Sequence, residues 1–376
     1  MMLGVAQATT PVPGTAHERA VFDEVTLATL DPSGLWRRIA DLPRQAAEAW
    51  ALGSSWSGPT PARVSRVVVM GMGGSAIGAQ LAARIVQERS TCPIEVVRDS
   101  DLPAMDADTL QVFCSFSGET DEVLTAFQAS LKLRTPKLVI TRGGELGRRA
   151  EAEGIPVLRY DYDGEPRSAL GYGLMLLLGV LHRLGIYRVT EDEVTRALHE
   201  VDACSRPQHP DRPLAENSAR ALALQMSGAT PVILADASLG GAAVRWQNQC
   251  NENGKRWAFA GVVPEALHNI VEGIRLAPAG DTPPFHVVLL EDLSRPRASR
   301  ARLDVLQDLL SETSVRWTRL PFAGDSALSI LLQACIVGDW VSYYLAIEHG
   351  VNPSPVPTIT MLKNRIADSL VPTAKP

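Results

Sequence analysis

Cysteine is scarce in this sequence and is never paired. Five cysteines are scattered over 376 residues, with no Cys-x-x-Cys pair and no spacing typical of a zinc site. This pattern argues against a disulfide framework and is typical of reduced thiols in a cytosolic protein. The seven histidines are also far apart, without a His-x-His or His-Glu-x-x-His motif. We therefore expect a cytoplasmic protein that holds no metal.

Long basic segments are absent as well, and we expect no secretory signal peptide. The chain has 36 Lys and Arg against 42 Asp and Glu, which gives a net charge of -6. Nothing here would neutralise a nucleic-acid backbone or an anionic membrane, so we expect neither as a partner. The N-terminus lacks the charged and apolar regions of a signal peptide. The apolar stretch "ALGYGLMLLLGVLHRLGIY" is too short to span a bilayer and is interrupted by His182 and Arg183, which predicts a buried helix.

The composition that remains is that of a globular protein. Hydrophobic residues make up 45% and charged residues 21% of a chain long enough for two domains. Apolar strands alternate with helices of about a dozen residues, which predicts an α/β fold with parallel sheets covered on both faces. The alternation stops in a charged, proline-rich stretch and then restarts. We predict a leader and helical arm (1–55), a first α/β domain (56–190), a linker (191–215) and a second α/β domain with a C-terminal helix (216–376).

The first strand-to-helix turn is rich in glycine. In "GMGGSAIG", Gly71, Gly73 and Ala76 have the spacing of a dinucleotide fingerprint. An NAD-dependent enzyme also needs an acidic residue near the end of the second strand, and Glu95 and Asp99 keep that alternative open. A tight turn without any ligand is a further alternative. In either binding hypothesis the glycines let the backbone approach a phosphate at a helix N-terminus.

A second turn favours a phosphate monoester. In "SFSGETDEV", Ser115, Ser117 and Thr120 surround Gly118 where the next helix begins. Three hydroxyls and several amide N–H groups suit a phosphate with three oxygens, whereas a dinucleotide would sit on the first turn and would not need this one. Alone, these residues are ordinary helix N-caps. Together, the two turns predict a sugar-phosphate site.

The two turns resemble the sugar-isomerase (SIS) domain, and "NENGKRWAFAGVVPEALHNIVEG" resembles the signature of the bifunctional phosphoglucose/phosphomannose isomerases. The resemblance covers about residues 60 to 365. It implies two SIS-type domains, each a mainly parallel sheet flanked by helices, with an N-terminal helical arm. It implies a cofactor-free aldose–ketose isomerase that converts fructose 6-phosphate into glucose 6-phosphate and mannose 6-phosphate through a cis-enediol. It also implies a homodimer in which His268 completes the other subunit's site.

The resemblance assigns four catalytic candidates. Glu252 matches the family's base and His268 its ring-opening histidine. Arg167 matches an arginine near C1 and C2 that stabilises the enediolate, and Lys363 matches a lysine that reaches the sugar. Each residue also has an ordinary interpretation: a solvated glutamate or lysine, a surface histidine, or an arginine at a helix entry. A non-catalytic sugar-phosphate sensor is the alternative function, which a filled Glu252 and His268 pair disfavours because a sensor needs no base.

The family's binding contacts are implied at five positions. The phosphate ligands are expected to be Ser115, Ser117 and Thr120, while Gly74 and Ser75 lie closer to the sugar.

The sequence departs from the family pattern at Phe116, often tyrosine, at Glu119, often asparagine, and at Asn352, often aspartate. Glu119 is the most consequential departure. A carboxylate beside a phosphate dianion would repel it unless the side chain points outward along the first helical turn. These differences bear on substrate affinity and preference more than on the class of reaction.

Overall fold

This computed structural model describes residues 6–7, 21–275 and 285–370. These residues contain ten strands and fourteen α-helices. The strands are β1 (Ala6–Gln7), β2 (Arg66–Gly71), β3 (Ile94–Val97), β4 (Thr109–Ser115), β5 (Lys137–Thr141), β6 (Val157–Arg159), β7 (Thr230–Asp236), β8 (Phe259–Val263), β9 (Phe285–Asp292) and β10 (Arg316–Phe322). The helices are α1 (Glu24–Leu30), α2 (Leu35–Ala40), α3 (Leu42–Ser54), α4 (Gly73–Val86), α5 (Asp121–Ser130), α6 (Gly144–Ala152), α7 (Leu170–Arg183), α8 (Glu191–Ser205), α9 (Ser218–Gln225), α10 (Gly240–Glu252), α11 (Glu272–Arg275), α12 (Arg297–Ser311), α13 (Ala327–Ile347) and α14 (Pro357–Leu370).

The first sheet has the order β3-β2-β4-β5-β6, and all its strand pairs are parallel. Strands β2 and β4 are buried almost throughout because helices cover both faces. Val67 and Val69 pack on the face covered by α4 and α7, whereas Val68 and Met70 pack with α5 and α6 on the other face. The parallel α/β sheet expected from the sequence is confirmed.

The second sheet repeats this order. It runs β8-β7-β9-β10-β1, and its first four strands are parallel. The fifth position is taken by β1, which pairs antiparallel with β10. Two residues of the expected leader therefore form a strand, a pairing that no alternation in the leader indicates. Strand β8 was also not expected, since it lies inside the "NENGK…HN" signature and has no separate turn signals.

Helix α13 is the centre of the helical layer. All of its residues after Ala327 are buried, and it packs against α8, α9 and α10. In the described part of the chain it is the one helix long and apolar enough to cross a membrane, and its most apolar window is entirely buried inside the protein. The helix α7, expected from the stretch around His182, is likewise buried over most of its length.

The N-terminal arm and the segment expected as a linker both pack on the domains. Helix α3 lies so close to α7 that a Cβ on Gly53 would come 2.5 Å from the carbonyl oxygen of Leu176. Residues 191–205 form helix α8, which begins with a capping box between Thr190 and Glu193 and contacts α3 and α13. The domain boundaries at 55, 190 and 215 stay predictions.

Candidate active site

The phosphate-binding candidates lie at one edge of the first sheet. Gly71 ends β2 and Ser115 ends the neighbouring strand β4, with Gly71 in register with Cys114. Helix α4 begins directly after the first strand and helix α5 shortly after the second. In an open parallel sheet, ligands bind outside the carboxyl ends of the strands, where helix N-termini also point. Both turns singled out in the sequence therefore share one edge.

The β4–α5 turn holds its hydroxyls close together. Ser115 Oγ accepts the Gly118 N–H at 3.0 Å and lies 2.9 Å from Thr120 Oγ1, while Ser117 Oγ accepts the Glu119 N–H at 3.1 Å. Gly118 has a φ of 73°, and a Cβ there would come 2.0 Å from the Gly143 carbonyl oxygen, so only glycine fits. Thr120 is the N-cap of α5 without a side-chain capping bond. The first amides of α5 are thus available to an anion.

The Glu119 side chain binds the neighbouring helix α6. Its Oε1 accepts the backbone N–H of Glu145 at 2.8 Å, in the first turn of helix α6. A carboxylate at a helix N-terminus compensates unpaired N–H groups and the helix dipole. Its carboxylate is therefore engaged by α6, and its compatibility with a phosphate in the loop stays a prediction.

The glycine turn touches the segment that carries Arg167. A Cβ on Gly74 would come 2.9 Å from the carbonyl oxygen of Pro166, in the short 3-10 helix Pro166–Ser168. The absence of a side chain at Gly74 permits this approach. Ser75 follows it in the first turn of α4, where it is half-buried and donates its N–H to Met72 O at 3.1 Å. The expected sugar-side residues thus lie next to the arginine.

Arg167 joins the two domains. It is 6% exposed, and its Nε donates to Asn253 Oδ1 at 2.6 Å at the end of α10. Its Nη2 donates to the carbonyls of Pro353 at 3.1 Å and Ser354 at 2.6 Å. Its Nη1 lies 3.8 Å from Glu252 Oε2, so the guanidinium faces the expected base. Burial lowers the pKa of Arg167, and the charge of Glu252 opposes that effect.

A buried polar network binds the backbone carbonyl of Arg167. Arg245 Nη2 donates to the Arg167 carbonyl at 3.0 Å and pairs with Asp339 at 2.7 Å. Gln249 Nε2 donates to the other Asp339 oxygen at 3.0 Å. Burial raises the pKa of Asp339, and Arg245 opposes the shift. Paired buried charges of this kind fix geometry, because removing either partner leaves an uncompensated charge.

The remaining two catalytic candidates lie apart from this centre. His268 ends a 3-10 helix after β8 and is exposed, and Lys363 is exposed on α14. Across residues 21–275 and 285–370, neither side chain makes a hydrogen bond or ion pair with Arg167 or Glu252. A single chain therefore assembles Gly74, Arg167 and Glu252 but not these two.

The acidic residues of the dinucleotide alternative lie in β3 and just after it. Glu95 forms an ion pair with Arg66 at 3.4 Å, at the amino end of β2 and away from the glycine turn. Asp99 accepts the N–H of Ser100 at 2.6 Å in an exposed loop. The described residues also contain no group of three His, Cys, Asp or Glu placed to hold a metal ion.

Comparison with known proteins gives the family. Residues 62–150 match the SIS domain, and residues 215–366 match the bacterial phospho-glucose isomerase C-terminal SIS domain. The bifunctional phosphoglucose/phosphomannose isomerase of Caldicellulosiruptor bescii is 31% identical over 337 residues, which cover 89% of this chain and 99% of that protein. The chain belongs to the bifunctional phosphoglucose/phosphomannose isomerase family.

Two further comparisons agree with this family membership. The protein of the same name from Aquifex aeolicus is 31% identical over 303 residues, covering 80% of this chain and 90% of that protein. A hypothetical protein from Thermus thermophilus, known by crystal structure, superposes with a TM-score of 0.73 at 18% identity, covering 93% of both chains. This second likeness shows a shared fold.

Two residues of this isomerase-family signature were missed as functional candidates. Asn253 holds Arg167, and Lys255 donates from Nζ to the carbonyls of Glu252, of Pro353 at 3.0 Å and of Pro355 at 2.6 Å. Both lie in "NENGK" beside Glu252, and that adjacency was the available signal. The carbonyls they organise with Arg167 carry no signal in the sequence, because any residue supplies a carbonyl.

Proposed function

We propose that this protein interconverts fructose 6-phosphate with glucose 6-phosphate and with mannose 6-phosphate, through a cis-enediol and without a metal or cofactor. The observation that carries the proposal is the buried Arg167 guanidinium facing the Glu252 carboxylate at 3.8 Å, next to the Gly74 turn. Proton transfer at a carbon beside a carbonyl requires a base and a fixed positive charge. The carboxylate and the guanidinium supply both beside the proposed phosphate-binding edge.

Substrate binding begins at the phosphate. The hydroxyls of Ser115, Ser117 and Thr120 and the free amides of α5 supply donors on several sides of a monoester. Gly74 and Ser75 then face the sugar, between the phosphate turn and Arg167. This placement directs C1 and C2 toward the end of α10, where Glu252 lies.

The chemistry is a proton transfer between C1 and C2. Glu252 takes the proton from C2 of the open-chain aldose, and the electrons of that bond form the enediolate while the C1 carbonyl oxygen becomes negative. Arg167 stabilises that oxygen. Moving the hydroxyl proton from O2 to O1 and returning the carbon-bound proton to C1 gives the ketose, whereas returning it to either face of C2 gives glucose or mannose 6-phosphate. His268 moves the proton of ring opening, and Lys363 contacts the sugar.

A homodimer would bring His268 to the site of the partner subunit. His268 is exposed in the single chain, and apolar side chains near it and along α14 are exposed too. Large exposed apolar groups mark interaction surfaces, and a second copy of this chain would cover them. These side chains are Trp257, Phe259 and Ile270 around the histidine segment, and Ile359, Leu362 and Ile366 on one face of α14.

The activity is tested with EDTA-treated protein and fructose 6-phosphate, with glucose 6-phosphate and mannose 6-phosphate measured separately. We expect both products, at rates unchanged by EDTA. Binding of all three sugars without any turnover would reject the isomerase and leave the sensor. Loss of activity on chelation, restored by a divalent ion, would reject the metal-free mechanism alone.

Subunit mixing tests the shared site. Glu252→Gln and His268→Asn are each expected to be inactive. Full exchange of subunits makes half of the molecules mixed dimers, and each mixed dimer has one site with neither change if His268 acts across the interface. Activity should then return to about a quarter of the wild-type value. No recovery, with exchange verified by mass spectrometry, would show that His268 serves its own chain.

A further inference from the structure

Lys255 has an unusual backbone conformation. Its φ is 51°, and among the residues that the structure describes it is the only non-glycine residue with a positive φ. This left-handed region disfavours a Cβ, and glycine usually takes such a place after a helix. Strained backbone persists where the surrounding structure fixes it, and it clusters at functional sites. The chain thus keeps a lysine side chain where glycine would be relaxed.

The ammonium of Lys255 is fully used by backbone carbonyls. It donates to Glu252 O, to Pro353 O at 3.0 Å and to Pro355 O at 2.6 Å. An ammonium has three donors and no acceptor, so none is left for a substrate. The residue therefore acts on the protein and does not contact the reacting atoms.

The segment that Lys255 holds has few N–H groups of its own. Residues 353–357 read "PSPVP", and its three prolines have carbonyls but no N–H groups. Its Pro353 carbonyl accepts from both Lys255 and Arg167, and its Ser354 carbonyl accepts from Arg167. Asn253 holds Nε of Arg167 directly, whereas the position of Nη2 depends on carbonyls in the segment that Lys255 ties to the end of α10.

We propose that Lys255 is a positioning residue that clamps the 353–355 segment to the end of α10 and so holds Arg167 facing Glu252. This inference rests on the proposed function for its catalytic consequence, because Arg167 stabilises the enediolate there. The same clamp sets where α14 begins, two residues after Pro355.

The test compares three variants. Lys255→Met keeps a Cβ and a long side chain without donors, Lys255→Arg keeps charged donors, and Lys255→Gly removes both the clamp and the strained Cβ. We expect Lys255→Met and Lys255→Gly to lower kcat by about 10- to 100-fold with KM changed by less than about threefold, because Arg167 shifts while the phosphate turn is untouched. Lys255→Arg should retain part of kcat. Lys255→Gly should fold at least as stably as Lys255→Met while being equally slow.

The pH profile separates positioning from general stability. Partial removal of water from the ammonium and the nearby charge of Arg167 lower the pKa of Lys255 to about 8, and Glu252 opposes this. Protonated Lys255 has three donors, so kcat should fall as pH rises through about 8. This alkaline decline should be absent in Lys255→Met and should move to higher pH in Lys255→Arg.

Hydrogen exchange makes the clamp testable even without turnover. Amides in residues 352–358 should exchange faster in Lys255→Met than in wild type, whatever the protein catalyses. Faster exchange in a protein that isomerises none of the sugars would reject the proposed function and keep the clamp. Wild-type exchange and wild-type kcat in Lys255→Met would overturn the clamp, as would a loss of kcat that only follows the loss of folded protein.

Discussion

Ser115 ends strand β4 of the first sheet, and Asp292 ends strand β9 at the corresponding place in the second. The central strands differ in the same way, since β2 ends at Gly71 and β7 at Asp236. Both sheets have the same parallel strand order, but one offers hydroxyls and free amides at its carboxyl edge while the other offers carboxylates. A shared fold therefore does not give both domains an anion site.

The acidic side chains at the carboxyl edge of the second sheet are hydrogen-bonded to groups at that same edge. The Asp292 N–H donates to Asp236 Oδ2 at 2.8 Å, and Ser238 Oγ donates to Asp292 Oδ2 at 2.7 Å. Burial raises the pKa of Asp236, and the charge of Asp292 adds to that shift. The N–H and hydroxyl donors at this edge of the second sheet are thus taken up by carboxylates. The second domain contributes to the site through the end of α10, which carries Glu252 and Asn253.

The largest expected effect contrasts the ends of α10 and α4. Glu252→Gln should lower kcat by about 10³-fold with little change in KM, because the amide cannot take the proton. Glu88, just after α4 in the first domain, pairs with Arg84 at 2.9 Å, and Glu88→Gln should leave kcat unchanged. Steady-state kinetics on both sugars measures the contrast. Glu252→Gln within about tenfold of wild type would remove Glu252 as the base.

Ser115→Asp makes the first sheet end like the second. A carboxylate in the turn should repel the phosphate and raise KM for fructose 6-phosphate at least about 100-fold, and Ser115→Ala should raise it about tenfold. Ser294→Ala, in the corresponding turn of the second sheet, should change KM by less than twofold. Calorimetric titration of each folded variant checks the affinities. Tight binding by Ser115→Asp would place the phosphate elsewhere.

Lowering the pH should destabilise the second sheet more than the first. His286 in β9 is 1% exposed, whereas no strand of the first sheet contains histidine. Burial, with a smaller effect from Arg316, lowers the pKa of His286 to about 4. As the pH falls below 6.5, His286 becomes protonated in the unfolded chain but stays neutral in the folded chain. The free energy of unfolding therefore decreases until about pH 4.

The loss between pH 7.5 and 4.5 should be about 2.5 kcal/mol in the free energy of unfolding, measured by urea titration at the two pH values. His286→Gln should remove that part of the pH dependence. It retains a hydrogen-bonding side chain toward Thr318 Oγ1, which lies 2.9 Å from Nε2 of the histidine. The same pH dependence in wild type and variant would contradict the assignment.

The sequence predicted the parts of the fold that depend on local pattern. Runs such as "RVVVMG" and "FHVVLLED" are buried parallel strands because covered sheets need apolar residues on both faces. It did not predict β1, since two residues are too few to show a hydrophobic alternation. It also did not predict the bonds from Arg167 to Pro353 and Ser354, since a contact across more than 180 residues depends on tertiary structure. The binding and catalytic candidates stay predictions of role, although Gly74, Arg167 and Glu252 are brought together.

Glu119 shows where sequence reasoning left two outcomes. Its carboxylate could repel the phosphate or point outward, and the structure gives it the Glu145 N–H at 2.8 Å. Glu119→Ala should therefore lower the free energy of unfolding by about 1 kcal/mol, as loss of a helix-capping acceptor does, and should leave KM within about twofold. Glu119→Gln keeps an acceptor and should retain most of that stability.

Thermal unfolding and KM for fructose 6-phosphate separate the two roles of this carboxylate. A tenfold lower KM in Glu119→Ala at unchanged stability would mean that the charge faces the phosphate after all. A loss of stability at constant KM would mean that this acidic residue belongs to α6. The two sheets would then differ in the direction in which their carboxylates point. The number of acidic residues near each turn would not decide whether the turn can bind a phosphate.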